Sequence, residues 1–134
     1  MKIRADFVTN SSSSSYCAIT INDGNIHWFE FEYQGFWTFQ FRDPKEELAK
    51  CKSVADLAKA ITYSVGGSGV PESYLESQLG DLSDFDEIKT IQIKCHEEIA
   101  DRGEADSGPA DVWFSYDFTT GDSSCERDEY DYED

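Results

Sequence analysis

Polar and apolar residues alternate with period two in three early stretches, 16–22, 25–33 and 36–42, all rich in aromatic and β-branched residues. That is the signature of half-buried strands. Asp23-Gly24 and Gln34-Gly35 supply turn residues between them, so the pattern predicts a three-stranded antiparallel meander. With a two-residue turn at each junction, one face carries Cys17, Ile19, Ile21, Ile26, Trp28, Trp37, Phe39 and Phe41. The other carries Ala18, Thr20, His27, Phe29, Phe31, Tyr33, Phe36, Thr38 and Gln40. The first set is the more apolar and is the expected core face. A three-residue turn at Gln34-Gly35 would shift this register.

The period then changes from two to that of a helix. Asp43 suits an N-cap, Pro44 a first helical turn, and Glu46-Glu47 the positive end of the dipole. Ser53-Val54-Ala55-Asp56 reads as a second start, which predicts two helices, 44–52 and 54–65, with a kink between them. Leu48, Cys51, Ala55, Ala58, Ile61 and Val65 form their apolar stripe, and Gly66-Gly67 ends it. After Pro71, the spacing of Tyr74, Leu75, Leu79 and Leu82 predicts a shorter helix.

Alternation returns at 87–95, with Ile91, Ile93 and Cys95 on one face, and at 112–120, with Val112, Phe114, Tyr116 and Phe118. The polar stretch between them contains Gly103, Gly108 and Pro109 and reads as a long mobile loop. The element order β-β-β-α-α-β-β predicts an α+β fold: one antiparallel sheet of about five strands with its helices packed on one face. Residues 1–15 form a serine-rich N-terminal segment, 16–121 the folded domain and 122–134 an acidic tail, expected to be mobile at least beyond Arg127.

Charge changes the picture. The 134 residues hold 28 acidic and 11 basic side chains, a net of −17. From Asp84 to the end there are 17 acidic residues against Lys89, Lys94, Arg102 and Arg127, so that part alone carries −13. Such a field repels phosphate backbones and anionic lipids. Direct binding to nucleic acid or to an anionic membrane is disfavoured, and a basic protein surface becomes the expected partner. No run of 18 apolar residues exists to span a membrane.

The opening Met1-Lys-Ile-Arg-Ala-Asp-Phe-Val-Thr-Asn-Ser-Ser-Ser-Ser-Ser-Tyr16 closely resembles the M-K-I-R-x-D-F-V-T-N-S-S-S-S-S-F start of a group of small bacterial and mobile-element proteins. Tyr16 stands where that group usually has Phe. The resemblance covers about sixteen residues and implies a bacterial or phage origin, but no activity comes with it. Physically, Ser11–Ser15 reads as a polar connector whose hydroxyls compete with regular backbone pairing, or else as a docking or modification site.

Candidate chemistry is sparse. Cys17, Cys51, Cys95 and Cys125 are widely spaced and lack a CxxC pair, which argues against zinc. With no apolar leader after Met1-Lys2-Ile3-Arg4, all four are expected as free thiols in a cytoplasmic protein. In the register above, Cys17 faces Glu30 while His27 points away. Cys95 and His96 are strand neighbours whose side chains diverge, so no Cys/His nucleophile is expected. Asp81, Asp84, Asp86 and Glu87 lack calcium-loop spacing. Gly66-Gly67-Ser68-Gly69 lacks the lysine of a phosphate loop. No cofactor, metal or catalytic residue is assigned.

The candidate interaction residues are therefore Phe29, Phe31, Tyr33 and Phe36 on the second sheet face, and Asp128, Glu129, Tyr130, Asp131, Tyr132 and Glu133 in the tail. The aromatic four are either a second core layer or an exposed contact patch. The expected function is a non-enzymatic, acidic protein-interaction module, an inhibitor or adaptor that occupies a basic, nucleic-acid-binding surface. The alternative is a small enzyme, or a carbohydrate- or small-ligand-binding domain, without a recognisable motif.

Overall fold

The structure, a computed structural model, describes residues 15–33, 41–65, 72–82, 84–97, 100–102, 105–107 and 110–129. Strands β1 (Ser15–Asn22) and β2 (Ile26–Tyr33) come first. Helices α1 (Lys45–Ala49), α2 (Val54–Val65) and α3 (Glu72–Gln78) follow. Then come β3 (Thr90–Glu97), the short β4 (Ala100–Arg102) and β5 (Ala105–Ser107), and finally β6 (Ala110–Asp117) and β7 (Ser123–Glu129). Among the described residues, five strands form one antiparallel sheet in the order β2-β1-β3-β6-β7, and β4 pairs only with β5. The class is the expected α+β, but the order is not that of a simple meander. Both β2 and β3 run antiparallel to β1, on either side of it. The chain between them must therefore cross β1, and it carries α1–α3 across one face.

Local side-chain hydrogen bonds mark the starts of α1 and α2. The Asp43 carboxylate accepts the Lys45 backbone N–H at 2.9 Å, ahead of α1. Before α2, Ser53 Oγ accepts from the Asp56 amide at 3.1 Å while the Asp56 carboxylate accepts from the Lys52 amide at 3.0 Å, a reciprocal cap that satisfies two otherwise orphaned donors. Leu48, Leu57, Ala58, Ile61, Val65, Leu75 and Leu79 are buried against Ile19, Ile21, Ile91, Ile93, Val112, Phe114 and Tyr116 of the sheet. The Tyr74 hydroxyl donates to the Glu30 carbonyl at 3.3 Å and fastens α3 to β2.

The register of β1 and β2 corrects the expected one. Ser15 pairs with Tyr33 and Asn22 with Ile26, leaving three residues, Asp23-Gly24-Asn25, in the connection. Asn22 Oδ1 accepts from the Gly24 amide and Asp23 Oδ1 from the Asn25 amide. Gly24 takes φ 106°, a conformation glycine adopts without a Cβ penalty. One residue more in the turn moves every β2 side chain to the opposite face. Phe29 therefore enters the core at 7% exposure, while Trp28 and Ile26, expected inside, are 43% and 66% exposed. Cys17, Ile19, Ile21 and Phe41 are buried as expected. Trp37, Phe39 and most of the predicted third strand lie outside the described residues.

Three further expectations are corrected. Cys17 and Cys95 lie directly opposite each other on β1 and β3, with Cα atoms 4.2 Å apart, and form a disulfide. Only Cys51 and Cys125 are free thiols. The stretch read as a loop between β3 and β6 holds the β4–β5 pairing, and the beginning of the expected tail is strand β7, paired with β6 from Ser123–Tyr116 to Glu129–Ala110. Among the described residues, no helix is long and apolar enough to cross a membrane.

Candidate functional site

The helices cover one face of the sheet, and the side chains of the other face line up in cross-strand rows set by the registers. One row runs Glu30, Ala18, Lys94, Trp113, Glu126, and the next runs Trp28, Thr20, Gln92, Ser115, Ser124. This face keeps Trp28 and Trp113, 38% exposed, in solvent. The Lys94 ammonium sits 4.9 Å from the Trp113 ring centroid, where the negative ring face attracts a cation. Ser115 and Ser124 hydroxyls hydrogen-bond across β6 and β7 at 2.9 Å. Around them lies a shallow hollow of about 440 Å³, lined by Gln92, Lys94, Trp113, Ser115, Ser124 and Glu126 among others.

At the far end of the same face the character changes. Tyr16, His96 and Asp111 are adjacent on β1, β3 and β6 and are all buried. The Asp111 carboxylate accepts from His96 Nδ1 at 2.7 Å, and the imidazole stacks on Tyr16 with centroids 5.3 Å apart. Cys95, the chain neighbour of His96, points to the helix side and is held in the disulfide. The expected divergence of Cys95 and His96 therefore stands in the structure.

His27 is a different case. The new register puts it on the helix-side face of β2, opposite Ile21 and remote from Cys17, which pairs with Phe31. Its Nε2 lies 3.0 Å from Asp23 Oδ1. The Asp23 carboxyl is held below its ordinary value chiefly by the Asn25 backbone N–H, then by His27.

Neither free thiol is poised as a nucleophile. Burial pushes the Cys51 thiol up to about 11, with the Asp56 and Glu47 carboxylates adding to the shift. Partial burial and then Asp43 raise Cys125, against the opposing effect of Arg127. A reactive thiol needs the reverse environment. Among the described residues, no group of three or more His, Cys, Asp and Glu side chains gathers as metal ligands would.

The sequence-derived candidates separate into three groups. Phe29 is a core residue and not part of a contact patch. Asp128 lies exposed on β7 beside Glu129, the last residue of that strand. Phe31 and Tyr33 belong to the β2 backbone, but their side chains, together with Phe36, Tyr130, Asp131, Tyr132 and Glu133, lie outside the described residues. Sequence reasoning passed over Trp113. A signal was present, because in the alternating run Val112, Phe114, Tyr116 the tryptophan occupies an out-of-phase, solvent-side position.

Comparison with family models, with curated proteins and with solved structures finds no match to this chain.

Proposed function

We propose that the chain is an acidic protein-interaction module, an inhibitor or adaptor that binds a basic, nucleic-acid-binding surface of another protein and acts by occupancy, not turnover. The observation that carries this reading is the construction of β7. The acidic C-terminal sequence enters the sheet as an edge strand with Glu126, Arg127 and Asp128 exposed, and among the described strands only β6 pairs with it. A sheet edge offers backbone donors and acceptors to an extended segment. Carboxylates along it repel acidic strands and attract Lys and Arg, which makes the edge selective. Beyond it the sequence continues as Tyr130, Asp131, Tyr132 and Glu133, where carboxylates and rings alternate and the rings can stack on guanidinium groups.

The cytoplasmic assignment belongs to the same proposal. Cys17 and Cys95 are joined in a disulfide and so do not support a reducing compartment as free thiols would. Both are almost completely buried, however, so a cellular reductant reaches the pair only when the sheet opens, and a reducing compartment is compatible with it.

The test is affinity capture from a bacterial lysate with the full chain and with a Glu126→Gln/Asp128→Asn variant, at low and high salt. The reading predicts a basic protein that is retained by the parent, released by salt and depleted with the variant. Equal capture by both chains at all salt concentrations contradicts it.

A further inference from the structure

We propose that the hollow on the open sheet face is a binding site for a neutral saccharide, seated against Trp113. Trp113 forms an aromatic wall, still 38% exposed with the Lys94 ammonium 4.9 Å from its ring centroid. A pyranose ring presents a face of C–H bonds that packs on an indole. The rest of the lining is suited to vicinal hydroxyls. Gln92 offers both a donor and an acceptor, Glu126 an acceptor, Lys94 a donor, and the hydrogen-bonded Ser115–Ser124 pair either role. A volume of about 440 Å³ lies within the roughly 300–1,000 Å³ of small-molecule sites.

The other ligand classes fit less well. Glu126 in the lining and Glu30 in the same cross-strand row would repel phosphate or carboxylate ligands. A hydrocarbon chain would desolvate Gln92 and the remaining hydrogen-bonding capacity of the Ser115–Ser124 pair without replacing the water partners. A cationic ligand would be repelled by the Lys94 ammonium that already lies beside the ring. A neutral, hydroxyl-rich ring satisfies both the aromatic and the polar parts of the lining. The site does not depend on the β7 edge reading, although Glu126 borders both surfaces.

The test is a titration of the isotope-labelled full chain, followed by NMR, with maltose, cellobiose and N,N′-diacetylchitobiose, each at up to about 50 mM, far above the millimolar range of a weak site. At least one sugar should give saturable shifts of the Trp113 indole N–H and of the Gln92, Ser115 and Ser124 amides. Trp113→Ala should weaken that response at least tenfold. Gln92→Ala, at an exposed position, should weaken it several-fold and serves if the first variant fails to fold. The affinity should be unchanged at about 1 M salt, where the Debye length is near 3 Å, whereas binding of a basic protein would be lost. Absence of a saturable shift with all three sugars, shifts confined to the helices, or full affinity in a folded variant would each overturn the proposal.

Discussion

Reducing the Cys17–Cys95 disulfide should cost this domain a large part of its stability. The two cysteines are 78 residues apart in sequence, so the bond closes a long loop in the unfolded chain. The chain-entropy relation gives about 4.5 kcal/mol for a loop of that length, and native disulfides in small domains typically contribute about 2–5 kcal/mol. Against a typical total of about 5–15 kcal/mol, a loss of about 4.5 kcal/mol would remove about 30% or more. The assay is urea unfolding with and without a strong thiol reductant, alongside a thiol titration of denatured, unreduced protein. With a slope of about 1–3 kcal/mol per molar urea, the midpoint should fall by roughly 1.5–4.5 M under reduction, and two thiols should titrate in the unreduced protein. Coincident midpoints together with four titrating thiols would refute the reasoning. The Cys17→Ala/Cys95→Ala double variant should reproduce the reduced midpoint.

Three smaller outcomes follow from other parts of the fold. Phe29→Ala should cost about 3–5 kcal/mol because the ring is in the core, while Ile26→Ala, at 66% exposure, should cost under about 1 kcal/mol; reversed costs in chemical denaturation would restore the two-residue turn. Ser53→Ala should lower stability by about 1 kcal/mol through loss of its hydrogen bond to the Asp56 amide, read from the same curves. The Asp117 carboxyl is held low by hydrogen bonds from Thr119, first the hydroxyl and then the amide. Its stabilisation is therefore present above the ordinary carboxylate pKa and is lost as pH falls through the depressed value. Asp117→Asn should flatten the acid limb of a melting-temperature profile, and an unchanged acid limb would contradict this.

Much of the architecture was legible because alternation and capping are local. The Ser53–Asp56 cap, the buried Leu75 and Leu79, and the inward Ile91, Ile93, Val112 and Phe114 all follow from spacing and side-chain chemistry. The β2 register was not legible in the same way. Ile26, Trp28, Phe29 and Phe31 make both faces of β2 apolar in sequence, so the hydrophobic pattern could not choose between turns of two and three residues. The two asparagine and aspartate side chains bonded around Gly24 decide it.

The disulfide depends on pairing β1 with a strand 78 residues away, and no local pattern encodes that pairing. Strand β7 escaped notice for another reason. Both of its alternate rows, Ser123, Cys125, Arg127 and Ser124, Glu126, Asp128, lack large apolar side chains. Its strand state comes from the ladder offered by β6. For the candidate surface, the sequence located the acidic segment, while only the cross-strand rows bring Gln92, Trp113 and Ser124 together.

The central functional claim is that β7 is a docking edge for a basic, extended partner. Its most direct test is an NMR titration of the full chain with a short peptide of alternating lysine and valine, with an acidic glutamate–valine peptide as control. The account predicts that the lysine peptide shifts and protects the backbone amides of Ser123–Glu129, that the effect weakens steeply as the Debye length falls below about 8 Å, and that the acidic peptide leaves the spectrum unchanged. Shifts that fall on α1–α3 instead, or an equal response to both peptides, would contradict it.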